Sequence, residues 1–114
     1  METKNLSEST ICCFGDSTTW GDNGCGAGGN DISWTSHLGA LLGGAVVENF
    51  GIKGSRIAIK ADRTDSFVER LDGIDDAADV YVVFGGVNDF SRNVPLGELG
   101  STDVHEFYGA LDYL

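Results

Sequence analysis

The sequence predicts an α/β fold, a three-layer α/β/α sandwich around a parallel sheet that stops after about three strands. Three observations carry this expectation. Short apolar runs alternate with segments of helical periodicity, the pattern of a parallel sheet with crossover helices. Each apolar run ends in a polar turn that bears glycine. The third run, DVYVVF, is β-branched and aromatic almost throughout, as in a strand buried on both faces.

Strand character lies in residues 10–14 (TICCF), 45–50 (AVVENF) and 79–84 (DVYVVF). The first helix spans 33–42, with Trp34, Leu38, Leu41 and Leu42 at helical spacing and Ser33 as its cap. A second covers 64–71, begins with an acidic turn and lines up Phe67, Val68 and Leu71. A loop containing Pro95 follows the third strand. The last helix runs from about Val104 to Leu114, with Phe107, Leu111 and Leu114 inward. The expected strand order is two-one-three. There is no repeat and no low-complexity segment, so residues 1–114 form one small domain. That domain looks unfinished, because three strands are few for a parallel sheet covered on both sides.

Composition narrows the function. With 7 basic and 18 acidic residues the formal charge is −11, a sign that repels nucleic acid and anionic membranes. The N-terminus lacks the basic and apolar regions of a signal peptide, and no apolar run is long enough to span a bilayer. A soluble cytoplasmic protein is the expectation. Cys12, Cys13 and Cys25 make a poor disulfide framework and read as reduced thiols. His37 and His105 are the only histidines, and no zinc-like spacing appears, so neither a metal nor an organic cofactor is expected.

The chemistry gathers in the three turns: Gly15-Asp16-Ser17 after the first strand, residues 49–55 (NFGIKGS) after the second, and Gly86-Val87-Asn88-Asp89 after the third. Right-handed crossovers place all three on one rim, where open α/β sheets bind ligands. Acyl transfer needs what these turns hold. Ser17 can expose its hydroxyl as a nucleophile. The main-chain N–H groups of Ser17 and Gly51 and the Asn88 carboxamide can meet the oxyanion of a tetrahedral intermediate. Glycine at position 51 leaves room for close substrate approach.

These turns resemble the first three blocks of the SGNH (GDSL-type) hydrolases. Gly15-Asp16-Ser17 matches the GDS block, Asn49-x-Gly51 the glycine block, and Gly86-Val87-Asn88-Asp89 the G-x-N-D block. The resemblance runs from about Thr10 to the end. It implies a flavodoxin-like sheet, hydrolysis of small acyl esters through a serine acyl-enzyme, and an oxyanion hole of Ser17, Gly51 and Asn88. One departure stands out. The family's fourth block, Asp-x-x-His, is absent, and the nearest pattern is Asp103-Val104-His105. A truncated or incomplete chain follows as the expectation, with little or no esterase activity by itself.

Each residue also has a plainer role. Ser17 competes with a helix cap, Asn88 with a turn residue. Asp16 reads as bonding turn amides, Asp89 as bracing its turn, and Asn49 as structural. His37 reads as a surface residue and His105 as a remote surrogate for the missing base. Residues 24–29 (GCGAGG) spell G-x-G-x-x-G, and Glu48 follows as a ribose-binding acid would. The run lies ten residues past Phe14 instead of closing the strand, so a loop is the better reading. Trp20 and Trp34 read as core. Two other classes stay beside the hydrolase: a non-catalytic remnant or small-ligand module, self-associating through its third strand, and a nucleotide-binding domain.

Overall fold

The computed structural model describes residues 5–114, which divide into two compact units. The first holds the described residues up to Lys53 together with Asp75–Phe84. It contains β1 (Thr10–Gly15), α1 (Ser17–Trp20), α2 (Thr35–Leu41), β2 (Val46–Gly51) and β3 (Val80–Phe84). The three strands are parallel and stand in the order β2-β1-β3, as the sequence predicts. Their register brings Gly15 level with both Gly51 and Phe84, so all three carboxyl ends finish together.

Alternation on the strands decides what is buried. Ile11, Cys13 and Ala45 form the buried centre of one sheet face, and Trp34, Leu38, Leu42, Val47, Val80 and Val82 pack against it. Gly39 lets α2 lie close, since a Cβ there would come 2.6 Å from the Ala45 carbonyl oxygen. Leu41, expected inward, is 81 % exposed, because Leu38 and Leu42 already fill the helix's sheet-facing stripe. The helix starts at Thr35 instead of Ser33, with Trp34 in the cap position and no side-chain cap bond; Ser33 lies one residue outside, where its Oγ accepts the Thr35 N–H at 3.2 Å. Cys12, Cys13 and Cys25 are free thiols. Burial, and then Cys12 beside it, pushes the Cys13 thiol up to about 11, so it behaves as a small apolar side chain.

Glu48 on β2 is tied to Asp75. The hydrogen bond with Asp75, then desolvation, raises the Glu48 carboxyl, while the Ala77 main-chain N–H and Glu48 lower that of Asp75. A raised carboxyl stabilises the fold while it is protonated and loses that contribution as pH rises through its folded value. We therefore expect Glu48→Gln, which donates at every pH, to flatten the decline in melting temperature just above the ordinary glutamate range. Parallel melting curves of wild type and variant across that range check this; curves of the same slope would refute it.

The second unit comprises Gly54–Ile74 and Gly85–Leu114 and contains α3 (Phe67–Arg70), α4 (Val87–Ser91) and α5 (Phe107–Tyr113). The helix expected over 64–71 starts later, because Ser66 and Glu69 close a reciprocal capping box. Phe67 is fully buried and lies where any side chain on Gly85 would go, 2.6 Å from a built Cβ. In α5 the buried residues are Gly109 and Ala110, whereas Leu111 and Leu114 are exposed, contrary to the periodicity. The Asp103 main chain presses on Gly109, where a Cβ would meet its carbonyl oxygen at 2.0 Å, so the small-residue face turns inward. Helix α4 occupies what the sequence suggested was loop. Among the described residues no helix is long and apolar enough to cross a membrane.

Candidate active site

In the first turn, Asp16 is the residue that caps α1. It is 2 % exposed, and its carboxylate accepts the Thr18 N–H at 3.0 Å. Ser17 is therefore the first helical residue instead of the cap. Its main-chain N–H sits where a helix offers no internal acceptor. The side chain is half-buried, and its Oγ has no hydrogen-bond partner among the described residues. The capping role that competed with a nucleophilic one belongs to Asp16.

The second turn is held by Asn49. Its Nδ2 donates to the Thr19 carbonyl oxygen at 2.7 Å, to Asn30 Oδ1 at 3.0 Å and to Thr35 Oγ1 at 3.1 Å. Its Oδ1 accepts the Gly51 N–H at 2.9 Å. The amide expected to face an oxyanion thus already has an acceptor. The missing side chain at Gly51 serves α1 as well, since a Cβ would come 2.2 Å from the Trp20 main-chain nitrogen. Backbone cannot yield as a side chain does. Gly51→Ala is expected to lower stability by about 1–3 kcal/mol, seen as a reduced urea midpoint; an unchanged midpoint would show that α1 moves freely.

Beyond Gly51, Lys53 lies 4.8 Å over the Trp20 ring and 3.4 Å from Asp22. Asp22 also accepts the Gly24 N–H, and Asn23 Oδ1 accepts those of Cys25 and Ala27. With an antiparallel bridge between Asp22 and Gly28, the glycine run is a self-bonded surface loop. Glu48, its supposed ribose partner, is engaged with Asp75. The nucleotide-binding pattern lacks its turn.

In the second unit, Asn88 is the second residue of α4, and its Nδ2 donates to the Ser55 carbonyl oxygen at 2.9 Å. A carboxamide carries two such hydrogens, so one remains for a ligand. Asp89 is 3 % exposed, and its carboxylate accepts the N–H groups of Ile57 and Ala58, both at 2.9 Å. It braces the segment after the second turn, not its own turn as the sequence suggested. Gly54 adopts a left-handed φ of 77°, and its N–H has no acceptor among the described residues. A cavity of about 400 Å³ opens beside the third turn, with Phe90, Val94, Leu96 and Phe107 in its wall.

Ser17 and Gly51 therefore share the first unit, and Asn88 and Asp89 the second. His37 is exposed. His105 is exposed too, its Nδ1 2.9 Å from Asp103 Oδ1; the His105 main-chain N–H, then the ring, hold the Asp103 carboxyl below its ordinary value. Among the described residues no group of three or more His, Cys, Asp or Glu could hold a metal ion. The structural role read for Asn49 is borne out by its side-chain bonds, although their partners, which come from distant segments, could not be read from the sequence. Sequence reasoning did not single out Gly54, whose signal was a second glycine in the same turn.

No curated protein matches this chain. Solved structures do. One is 96 % identical, covers 96 % of this chain and 50 % of its own, and superimposes with a TM-score of 0.94. A protein from Lactobacillus plantarum is 36 % identical over 96 % of this chain and 49 % of its own, with a TM-score of 0.77. A structure from Chitinophaga pinensis described as a possible lipase is 23 % identical, covers 93 % of this chain and 41 % of its own, and shares the fold at a TM-score of 0.69. The chain spans half or less of the length of these solved chains. The model of the GDSL-like lipase/acylhydrolase family matches residues 13–112, nearly the whole sequence and all three turns, and the chain belongs to that family.

Proposed function

We propose that the chain carries the nucleophile and oxyanion-binding half of a serine ester hydrolase acting on small acyl esters. Ser17 Oγ attacks the acyl carbonyl carbon, the carbonyl oxygen becomes an oxyanion, and the alcohol leaves with a proton. Water then releases the acid from the acyl-serine. The observation that carries this reading is the division of labour in the first turn. Asp16 takes the cap, and the Ser17 hydroxyl is left without a partner among the described residues.

The oxyanion would be met by the Ser17 main-chain N–H, an amide of the second turn and the remaining Asn88 N–H, with Asp16 and Asp89 in support. For the second turn, Gly51 is the amide that the motif indicates. Its bond to Asn49 favours Gly54, whose N–H is unengaged and which directly precedes Ser55, the residue bonded to Asn88. The apolar cavity near Asn88 suits an acyl group. No described residue touches the Ser17 hydroxyl to take its proton, so turnover by this chain alone should be small. Serine hydrolases stripped of their triad keep roughly 10³–10⁴-fold catalysis over water. The three free thiols fit a reducing cytoplasmic compartment.

Long incubation with a fluorophosphonate probe, followed by peptide mass spectrometry, tests the reading. Slow labelling at Ser17 is expected. Labelling confined to other serines, or fast nitrophenyl-ester turnover that survives Ser17→Ala, would overturn it.

A further inference from the structure

We infer that Arg63 and Arg70, tied together by Asp65, clamp the second turn so as to aim the Asn88 carboxamide, which makes Arg70 a positioning residue for the oxyanion site. The inference rests on the oxyanion role given to Asn88 above. Every residue in the clamp belongs to the second unit. A carboxamide nitrogen carries two hydrogens at a fixed angle. One Asn88 Nδ2 hydrogen is spent on the Ser55 carbonyl oxygen at 2.9 Å, so the direction of the other is inherited from that carbonyl. The carbonyl follows Gly54, whose left-handed φ of 77° makes it the freest point of the turn. Aim matters here, because a displacement of about 1 Å can cost on the order of 100-fold in rate.

Two arginines hold this turn. Ser55 is fully buried, and its Oγ accepts Arg70 Nη2 at 3.1 Å. Arg70 Nε donates to the Asp65 carbonyl oxygen at 2.9 Å, and the guanidinium lies 5.2 Å over the ring of the fully buried Phe67. Arg63 holds the residue before. Its Nε and Nη2 donate to the two Asp65 carboxylate oxygens at 2.9 and 2.5 Å, the paired geometry that fixes a guanidinium plane. Its Nη1 lies 2.7 Å from where a Cβ on Gly54 would stand, so the guanidinium packs against the bare α-carbon. Asp65 thus serves both arginines, Arg63 through its carboxylate and Arg70 through its main chain. The chain of contacts runs from Asp65 through Arg70 and Ser55 to Asn88 without a gap.

The test uses the isotope-labelled 114-residue chain and two readouts. Arg70→Met keeps an apolar stem over Phe67 and removes the donors. In this variant the Asn88 side-chain amide signals should shift, and the hydrogen bonded to Ser55 should exchange with solvent at least about fivefold faster. Fluorophosphonate labelling of Ser17 should slow by about tenfold, and the same substitution made on top of Asn88→Ala should slow it no further. Ser55→Ala removes the Oγ acceptor, keeps the carbonyl and should repeat both effects, so the result does not hang on the folding of one variant. Unchanged Asn88 signals in both variants overturn the proposal. So does a wild-type labelling rate in both where Asn88→Ala is slowed, or equal slowing with and without the Asn88 carboxamide, the mark of a merely structural residue. Asn88→Ala that labels as fast as wild type would sink the oxyanion role itself, a failure told apart by the Asn88 signals, which report the clamp without any chemistry.

Discussion

Replacing Asp89 by alanine is expected to destabilise the protein by roughly 3–5 kcal/mol, because a carboxylate accepting two buried amides holds each by more than an ordinary hydrogen bond. The acceptor is 3 % exposed, and its partners Ile57 and Ala58 are buried, so water cannot replace it. A loss of that size is a large fraction of the 5–15 kcal/mol or so by which a small domain is stable. Asp89→Asn keeps one acceptor oxygen and should fall between. Urea unfolding of the three proteins gives the ranking. Equal midpoints for wild type and the alanine variant would mean that both amides find water once the carboxylate is gone.

The second large effect separates chemistry from stability. Ser17→Ala should abolish covalent labelling by a fluorophosphonate at that peptide while leaving the thermal midpoint within about a degree of wild type. The hydroxyl stabilises nothing among the described residues, and the cap bond belongs to Asp16. Asp16→Ala should do the reverse in part: loss of a helix cap costs about 0.5–2 kcal/mol, and the labelled serine would be positioned less well. Should Ser17→Ala instead lower the midpoint as much as Asp16→Ala, Ser17 would be a structural residue and the nucleophile assignment would fail.

The strands were legible because their signal is local. Runs such as TICCF and DVYVVF declare themselves by composition, and turns with glycine close each of them. Crossover handedness placed their ends on one rim, and the order two-one-three goes with the flavodoxin-like sheet that the family resemblance implies. The helices were less legible. Val87-Asn88-Asp89-Phe90-Ser91 has little helical propensity, yet it forms α4, where Asp89 is bonded to the main chain of residues 57–58. In α5, periodicity pointed to leucines, but a backbone approach that only glycine allows at position 109 selected the other face. The site shows the same division. The motif located the turns, whereas the use of each amide within them was invisible. That Gly51 donates to Asn49, and that Asn88 donates to Ser55, depends on side-chain geometry that spacing does not encode.

Asn49 joins the end of β2 to three segments through a single NH₂ group that faces only acceptors. Its nearest isostere is consequently its worst substitute. Hydrolysis of that carboxamide to a carboxylate alters neither size nor shape. It does turn an oxygen toward the Thr19 carbonyl and Asn30 Oδ1, so attraction becomes lone-pair repulsion. Slow chemical ageing at this one position would loosen the segment around Ser17 while leaving the volume it packs unchanged.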